Sequence, residues 1–253
     1  MTGAYPIAVG SMIASILVLG CDRSSPTAMN VDTGSSVTTP AGEPGLASGK
    51  KLDPSAVCDP TLSGFTPTST NPYYPIQVGS RWQYEGEEDD ELIHLTVTVL
   101  NKTEVVAGVI TQVVEERETA DGDLTEVSRN FFAQAPDGSV CYFGEEVDIY
   151  EDGQIVSHDG AWRADDPGNG PGIFMPASPK PGMKYQVEVA PGVAEDQAQI
   201  VGEGPVSVPA GTFTRTIRVR EFNPLDGEKD YKVHAAGVGL IIDGILELVS
   251  YDL

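Results

Sequence analysis

Two pairs of adjacent carboxylates, Glu145-Glu146 and Glu195-Asp196, are best suited by residue type and spacing to do chemistry. Neighbouring carboxyl groups can divide the roles of general acid and general base, and their oxygens also suit hard cations. In so acidic a chain, Glu145-Glu146 is more simply a solvated surface. Glu195-Asp196 lies in a break between strand-like runs, where carboxylates could equally begin a short helical turn. We therefore predict Glu195 and Asp196 as candidate ligand- or cation-binding residues.

Other catalytic patterns are scarce. The three histidines, His94, His158 and His234, form no His-Glu-x-x-His motif, and no Gly-x-Ser-x-Gly, phosphate-cradling or dinucleotide-binding pattern occurs. His94 and His234 fall in strand-like runs, at positions expected to face solvent. The sequence predicts no catalytic residue, no cofactor and no metal ligand. A hydrolase that uses acidic residues stays open as an alternative, and it requires Glu195, Asp196 and a histidine to converge.

The charge balance is strongly acidic, with 15 Lys and Arg against 38 Asp and Glu and a formal net charge of -23. A negative field of this size argues against nucleic acid as a partner. It would attract divalent cations, but no segment has the twelve-residue pattern of a calcium loop. A structural surface domain stabilised by cations therefore stays open as a second alternative.

The chain has three cysteines, Cys21, Cys58 and Cys141. After Cys21 the other two form an even pair, which in an exported protein favours one disulfide over two separate thiols. Closing a loop of about 84 residues would restrict the unfolded chain by roughly 4 to 5 kcal/mol on the entropy model. We therefore predict a Cys58–Cys141 disulfide, with two free thiols as the alternative.

Residues 7–20 are apolar or small, and they end at Val18-Leu19-Gly20-Cys21. As a helix this stretch covers roughly 21 Å, less than the ~30 Å hydrocarbon core, which favours a signal peptide over a permanent transmembrane helix. The Val-Leu-Gly-Cys ending resembles the lipobox of bacterial lipoproteins. The resemblance implies acyl chains on Cys21 that anchor the protein to a membrane on the non-cytoplasmic side, in the periplasm or at the cell surface. An ordinary cleaved signal and an uncleaved anchor stay open.

The chain is accordingly predicted to divide into three parts. Residues 1–20 are the signal peptide, and residues 21–70 are the lipidated cysteine and a flexible linker, because Ser, Thr, Gly, Pro and Ala dominate there. Residues 71–253 show short alternating runs between turn residues, with a hairpin expected around Ala107-Gly108 and Asp-Gly turns at four further sites. We predict one all-β domain of roughly ten to twelve strands, a strongly curved antiparallel sheet or half-open barrel.

The β region opens with Asn71-Pro72-Tyr73-Tyr74-Pro75, followed by Gly79, Trp82 and Tyr84. This Asn-Pro-Tyr-x-Pro and Gly-x-x-Trp-x-Tyr pattern resembles a group of uncharacterised bacterial exported proteins and lipoproteins, from which no activity carries over. The segments 208–213 and 235–240 look like the ending of periplasmic β-sheet lipoproteins of the lipoprotein-carrier type. That second resemblance implies a sheet wrapped around an apolar cavity, whereas a packed core is the simpler interpretation.

A long irregular segment rich in Gly and Pro runs from residue 165 to 182, and loops of this length are usually functional. With neighbouring aromatics it forms a candidate binding surface, whose members are expected to be exposed: Tyr73, Tyr74, Trp162, Phe174 and Met175. The sequence thus favours a non-catalytic binding module for an unknown protein or an apolar small molecule.

Overall fold

The structure is a computed structural model that describes residues 49–253. The predicted signal peptide, Cys21 and residues 22–48 of the predicted linker lie outside the described residues. Within 49–253, no helix has both the length and the apolar character needed to cross a membrane.

Almost all regular structure in this part of the chain is antiparallel β, as the alternating runs predicted. One short helix precedes the strands, whose bounds are α1 (Pro54–Val57), β1 (Arg81–Glu88), β2 (Glu91–Val106), β3 (Val109–Ala120), β4 (Asp123–Gln134), β5 (Val140–Glu151), β6 (Gln154–Ser157), β7 (Trp162–Arg163), β8 (Gly172–Met175), β9 (Lys184–Gln186), β10 (Gln197–Glu203), β11 (Val206–Val208), β12 (Gly211–Phe213), β13 (Thr216–Phe222), β14 (Lys229–Ala235), β15 (Gly239–Asp243) and β16 (Leu246–Asp252).

Fourteen of these strands form one large sheet in the order β6-β5-β4-β3-β2-β1-β16-β15-β14-β13-β10-β9, with β7 and β8 paired to β5. The sheet does not close through its ends, which confirms the predicted half-open arrangement. The sixteen strands outnumber the ten to twelve predicted, in part because the Gly-Pro segment is not a free loop. Its residues form β8, and its neighbours form β7 and β9.

The predicted turns account for the long hairpins. Ala107 and Gly108 adopt φ angles of 51° and 82° between β2 and β3, and Asp121 and Gly122 adopt 49° and 93° between β3 and β4. Two successive positive φ angles match the twist of paired strands, and glycine adopts this backbone without steric penalty. These two turns therefore help to set the register of β2, β3 and β4, which carry part of the candidate site.

The Trp-x-Tyr pattern has a structural role. The Trp82 indole Nε1 donates a 2.9 Å hydrogen bond to the Val238 carbonyl, and the Tyr84 hydroxyl donates one of 3.0 Å to the Leu240 carbonyl. Both rings are buried, so these bonds satisfy polar atoms that would otherwise lack water. They fix β1 to the start of β15 across the intervening strand β16.

Residues 49–70, which we call the strap, were expected to belong to the flexible linker, and this expectation is wrong. The Lys184 amide donates to the Lys50 carbonyl at 3.1 Å, and the Leu52 amide donates to Lys184 at 2.8 Å. The Cys58–Cys141 disulfide then fixes the strap to β5, as predicted. Backbone pairing and the covalent bond hold the strap although it has few large apolar side chains.

The two ends of the sheet approach each other where the Gly-Pro segment meets the residues after β9, and we call this place the seam. The Gly170 amide donates to the Val189 carbonyl at 2.9 Å. At Gly172 the approach is so close that a Cβ would lie 1.8 Å from the Val187 oxygen. Only glycine therefore allows this contact, which places Glu188 at the junction of the two halves.

Candidate functional site: an acidic centre inside the sheet

Buried carboxylates line the inner face of β3. Glu116 pairs with Val97 and Glu118 with Leu95 on β2, and both of these apolar partners are buried. Paired residues point to the same face of a sheet, so the two glutamates point into the interior with the apolar core residues. Each is only 2% exposed.

The same face continues across β4 and β5. Glu126 lies directly opposite Glu118, and Asn130 lies opposite Glu145. All four side chains are buried, and the Tyr142 hydroxyl donates a 2.7 Å hydrogen bond to Asn130 Oδ1. The sequence interpretation of Glu145-Glu146 as solvated surface is therefore wrong for Glu145. Adjacent strand residues point to opposite faces, so only Glu146 reaches solvent.

A buried ammonium group lies on the other half of the sheet. Lys232 on β14 is paired with Asp243 on β15, and its Nζ lies 2.9 Å from Asp243 Oδ1 and 3.4 Å from Glu221 Oε2. All three side chains are buried. A buried charge is tolerated only when it is paired, so this triad shows how the interior holds an ammonium ion.

Glu188 lies at the seam beside Asp196. The Val187 and Glu188 amides both donate to the Asp196 carbonyl, at 2.7 and 3.3 Å. Burial, then the charges of Asp196, Glu145 and Glu221, raise the pKa of Glu188 well above its ordinary value. Within residues 49–253, Glu188 Oε1 has no hydrogen-bond partner although the residue is 2% exposed.

Glu118 shows the same combination. Thr125 donates a 2.9 Å hydrogen bond to its Oε1, but in the described part of the chain its Oε2 has no partner. Burial, reinforced by the facing Glu126, raises the pKa of Glu118 to about 9. Burial also raises the pKa of Glu221 to about 8 and that of Asp243 to about 6, with Lys232 acting in the opposite direction on both. These carboxyl groups therefore bind protons more tightly than ordinary ones.

We call this interior region the acidic centre. Its carboxylates are all less than 9% exposed: Glu116, Glu118, Glu126, Glu145, Glu188, Asp196, Glu221 and Asp243. Against these, the buried basic residues between positions 49 and 253 are Lys232 and His234. Burial and the Lys232 charge lower the pKa of His234 to about 3, so this imidazole contributes no positive charge near neutral pH. Within residues 49–253, no three or more His, Cys, Asp or Glu side chains form a metal-ligand group.

The predicted aromatic binding surface is not exposed. Trp162 is 3% and Met175 0% exposed, while Tyr74 packs its ring 4.4 Å from that of Phe174. Tyr73 is half-buried against the same core. The prediction is wrong because β7 and β8 pair with β5 and carry these side chains into the interior. They form part of the core.

The side chains of the neighbouring residues Glu195 and Asp196 differ in their contacts and in their burial. The Glu195 carboxylate caps a turn by accepting a 2.7 Å hydrogen bond from the Gly192 amide. Asp196 is buried in the acidic centre. His234, expected to face solvent, is buried against Tyr74, and its Nδ1 lies 3.2 Å from the Tyr73 carbonyl. Sequence reasoning therefore found one member of the site, Asp196, and paired it with the wrong neighbour.

An apolar crevice lies beside the acidic centre, lined by residues that include Tyr74, Trp82 and Leu240. Its volume of about 10 Å³ suits roughly one water molecule. An apolar small molecule would not fit this crevice without rearrangement.

For two further carboxylates of the site, Glu116 and Glu118, the sequence contains one signal. On β3 the residues Val114, Glu116 and Glu118 share a phase of the alternation, and β2 presents Val99, Val97 and Leu95 to them. The sequence alone did not show which face of β3 is buried, because Glu115 and Arg117 place charged residues on the opposite face as well.

No family model, curated protein or solved structure matches the chain. The resemblance to exported bacterial proteins stays a prediction.

Proposed function

We propose that the protein is a non-catalytic binding module, and that its ligand is an organic cation held in the acidic centre. The main support for this proposal comes from Glu118 and Glu188. Each residue is 2% exposed, and each has one carboxyl oxygen without a hydrogen-bond partner within residues 49–253. An unsatisfied buried carboxylate oxygen costs about 1–3 kcal/mol or more, so such groups need a reason to persist. A cationic ligand that offers N–H donors would satisfy them.

The charge distribution supports the same proposal. Lys232 already demonstrates that an ammonium group binds between two carboxylates of this interior. Neither Glu118 nor Glu188 forms an ion pair with any Lys or Arg of the described residues. The net charge of -23 would raise the local concentration of cations around the domain.

The site belongs, in this proposal, to a lipoprotein of the cell envelope. The Val18-Leu19-Gly20-Cys21 ending supports export and lipidation of Cys21, and a disulfide such as Cys58–Cys141 persists in oxidising compartments. Lipid chains would hold the binding domain at a membrane surface outside the cytoplasm.

Isothermal titration calorimetry of the full chain tests the proposal with butylammonium, octylammonium, 1,4-diaminobutane, 1,8-diaminooctane, spermidine and calcium chloride. We expect saturable binding of amines, and about tenfold weaker binding by Glu188→Gln, which corresponds to about 1.4 kcal/mol. Gln keeps the size of the side chain but cannot release a proton to form the anion that pairs with an ammonium group. Glu146→Gln is the matched control, since Glu146 is exposed. The proposal fails if no amine binds, or if both variants weaken binding equally.

A further inference from the structure

The outer face of β9, β10, β13 and β14 carries a charge opposite to that of the whole chain. Tyr185, Val219 and Glu221 are buried, so the residues that alternate with them point outward. The outward positions form three rows of directly paired residues: Lys51, Lys184, Gln199, Arg220 and Tyr231 in the first, Gln186, Gln197, Phe222 and Lys229 in the second, and Gly202, Arg218 and Val233 in the third. None of these residues is acidic, although the chain has 38 Asp and Glu against 15 Lys and Arg.

We call this surface the basic face, and it comprises five cationic side chains and two aromatic rings: Lys51, Lys184, Arg218, Arg220, Lys229, Phe222 and Tyr231. Within residues 49–253, none of the five cations forms an ion pair with a carboxylate. Lys51 lies directly opposite Lys184, and like charges at opposed positions are destabilising. An anionic partner would remove this repulsion.

The aromatic rings of the basic face are accessible. Tyr231 is 55% and Phe222 37% exposed, and Leu225, in the turn that follows Phe222, is 47% exposed. Aromatic rings among Lys and Arg are typical of surfaces that contact a bilayer, where the rings lie at the level of the lipid headgroups. A small anion in solution would leave these apolar groups in water, whereas a bilayer covers them.

The basic face lies where the chain from the predicted anchor enters the domain. Lys51 belongs to the strap and follows the first described residue, Gly49, by two positions. The backbone of the strap pairs with β9 at Lys184. A lipid anchor on Cys21 would therefore be joined to the domain beside the basic face.

The net charge of -23 does not oppose a local contact of this kind. At physiological ionic strength charges act over about 8 Å, so a membrane that touches the basic face responds first to its cations. Acidic residues return at its margin, since Glu247 on β16 lies opposite Ile242 on β15. The acidic surfaces elsewhere would be repelled by an anionic membrane, which favours one orientation of the domain.

We propose that the basic face docks the domain on a membrane that contains anionic phospholipids. The Lys and Arg side chains contact headgroup phosphates, while Phe222 and Tyr231 enter the interfacial layer. This inference goes beyond the cation site of the acidic centre, and it rests on the location in the cell envelope that the proposed function assigns.

Vesicle co-sedimentation of the full chain carrying Cys21→Ser measures this docking without acyl chains. Two compositions are compared, phosphatidylcholine alone and equal parts of phosphatidylcholine and phosphatidylglycerol. We expect at least about tenfold higher affinity for the anionic vesicles, and loss of most of that preference as the salt concentration rises. Residues 1–20 have no charged side chain, so they contribute equally to the binding of both compositions.

Charge reversal locates the contact. Arg218→Glu combined with Lys229→Glu should lower the affinity for anionic vesicles to about that for phosphatidylcholine. Arg81→Glu combined with Arg117→Glu is the matched control, because it changes the net charge equally at exposed cations of β1 and β3. The control should keep most of the preference, and circular dichroism confirms that each variant is folded. Tyr231→Ser should weaken binding to the anionic vesicles severalfold.

Three results would overturn the inference. The first is equal affinity for both vesicle compositions, and the second is an equal loss of preference in the two double variants. The third is a salt-sensitive dimer in sedimentation velocity without vesicle binding, which would assign the basic face to a second copy of the chain. Amine binding and fatty-acid labelling of Cys21 are measured separately, so failure here is distinct from failure of the proposed function.

Discussion

Glu118 and Glu126 face each other directly across β3 and β4, and both are buried. Like charges at directly opposed positions of a sheet are destabilising, and burial increases the effect because it removes the screening by water. A proton on Glu118, whose pKa is raised to about 9, removes this repulsion. The stability of the protein should depend on pH for this reason.

We expect the free energy of unfolding to fall as the pH rises from about 5 to about 9. The pKa of Glu118 is raised to about 9 in the folded chain, so the folded state holds a proton that the unfolded state has lost. When the folded state binds more protons than the unfolded state, the free energy of unfolding decreases as the pH rises. Glu221 and Asp243, with pKa values raised to about 8 and about 6, act in the same direction. Urea denaturation at several pH values measures the slope.

Glu118→Gln should reduce the dependence of the free energy of unfolding on pH. Since glutamine cannot ionise, the variant should gain about 1–3 kcal/mol of stability at about pH 8.5 and almost none at about pH 5. Glu87→Gln, at an exposed position of β1, is the control and should follow the wild type. A variant that is destabilised equally at both pH values would show that Glu118 has a different structural role.

His234 should remain neutral far below the ordinary range of histidine. Its pKa is lowered to about 3 by burial and by Lys232, and the ring packs against Tyr74 and Phe174. A base with a lowered pKa loses stability as the pH falls from about 6.5 towards the folded value, so acid below about pH 5 should begin to unfold the domain. Nitrogen-15 NMR of the imidazole measures the protonation directly. A titration midpoint near 6.5 in the folded protein would contradict the burial of this ring.

Lys232→Met should destabilise the protein by about 3–5 kcal/mol, since it leaves Asp243 and Glu221 without the ammonium that compensates them. Lys229→Met, on the same strand but exposed, should change stability by less than about 0.5 kcal/mol. Chemical denaturation of both variants makes the comparison. A triple variant then combines Lys232→Met with Asp243→Asn and Glu221→Gln. If it regains most of the lost free energy of unfolding, the loss was caused by the uncompensated carboxylates. A loss unchanged in the triple variant would instead assign it to packing.

Asn71 explains the Asn-Pro-Tyr pattern in physical terms. Its Nδ2 donates to the Gly138 carbonyl at 3.1 Å and to the Pro176 carbonyl at 3.0 Å, while its Oδ1 accepts from the Tyr73 amide at 3.0 Å. Asn71→Ala should therefore cost about 2–3 kcal/mol, because it leaves these backbone groups unsatisfied. Asn101→Ala, at an exposed position, is the control for denaturation experiments. Equal stability of the two variants would refute the structural role of Asn71.

Local features of the fold could be predicted from the sequence because they depend on neighbouring residues. The turns at Asp121-Gly122 and Asp152-Gly153 follow from backbone preferences of two residues, and both have the positive φ angles that such hairpins need. The burial of Trp162 and Phe174 depends instead on the pairing of β7 and β8 with β5. Pairing of this kind, over a gap of irregular chain, leaves no periodic signal in the sequence.

The acidic centre was missed for a related reason. Glu145 was interpreted as solvated surface because charged side chains are usually exposed, and Glu116 and Glu118 were not singled out from the sequence. Their burial follows from the curvature of the whole sheet, which brings β3–β5 and β13–β15 around a common interior. The one clue, the shared phase of Glu116 and Glu118 with Val114, becomes decisive only when the register with β2 is known.

The strap is attached to the domain by backbone hydrogen bonds at both ends and by a covalent bond between them. Near its start it pairs with Lys184, and near its end the Thr66 amide and carbonyl pair with Gln134 of β4. Between these two places the Cys58–Cys141 disulfide joins it to β5, 83 residues away in sequence. Cys58→Ser combined with Cys141→Ser should lower the free energy of unfolding by roughly 4 to 5 kcal/mol on the entropy model. Hydrogen exchange should then show faster exchange of the Leu52 amide while the amides of β3 stay protected, since β3 pairs with β2 and β4 independently of the strap. Uniform loss of protection across both regions would mean that the strap is required to keep the sheet itself folded.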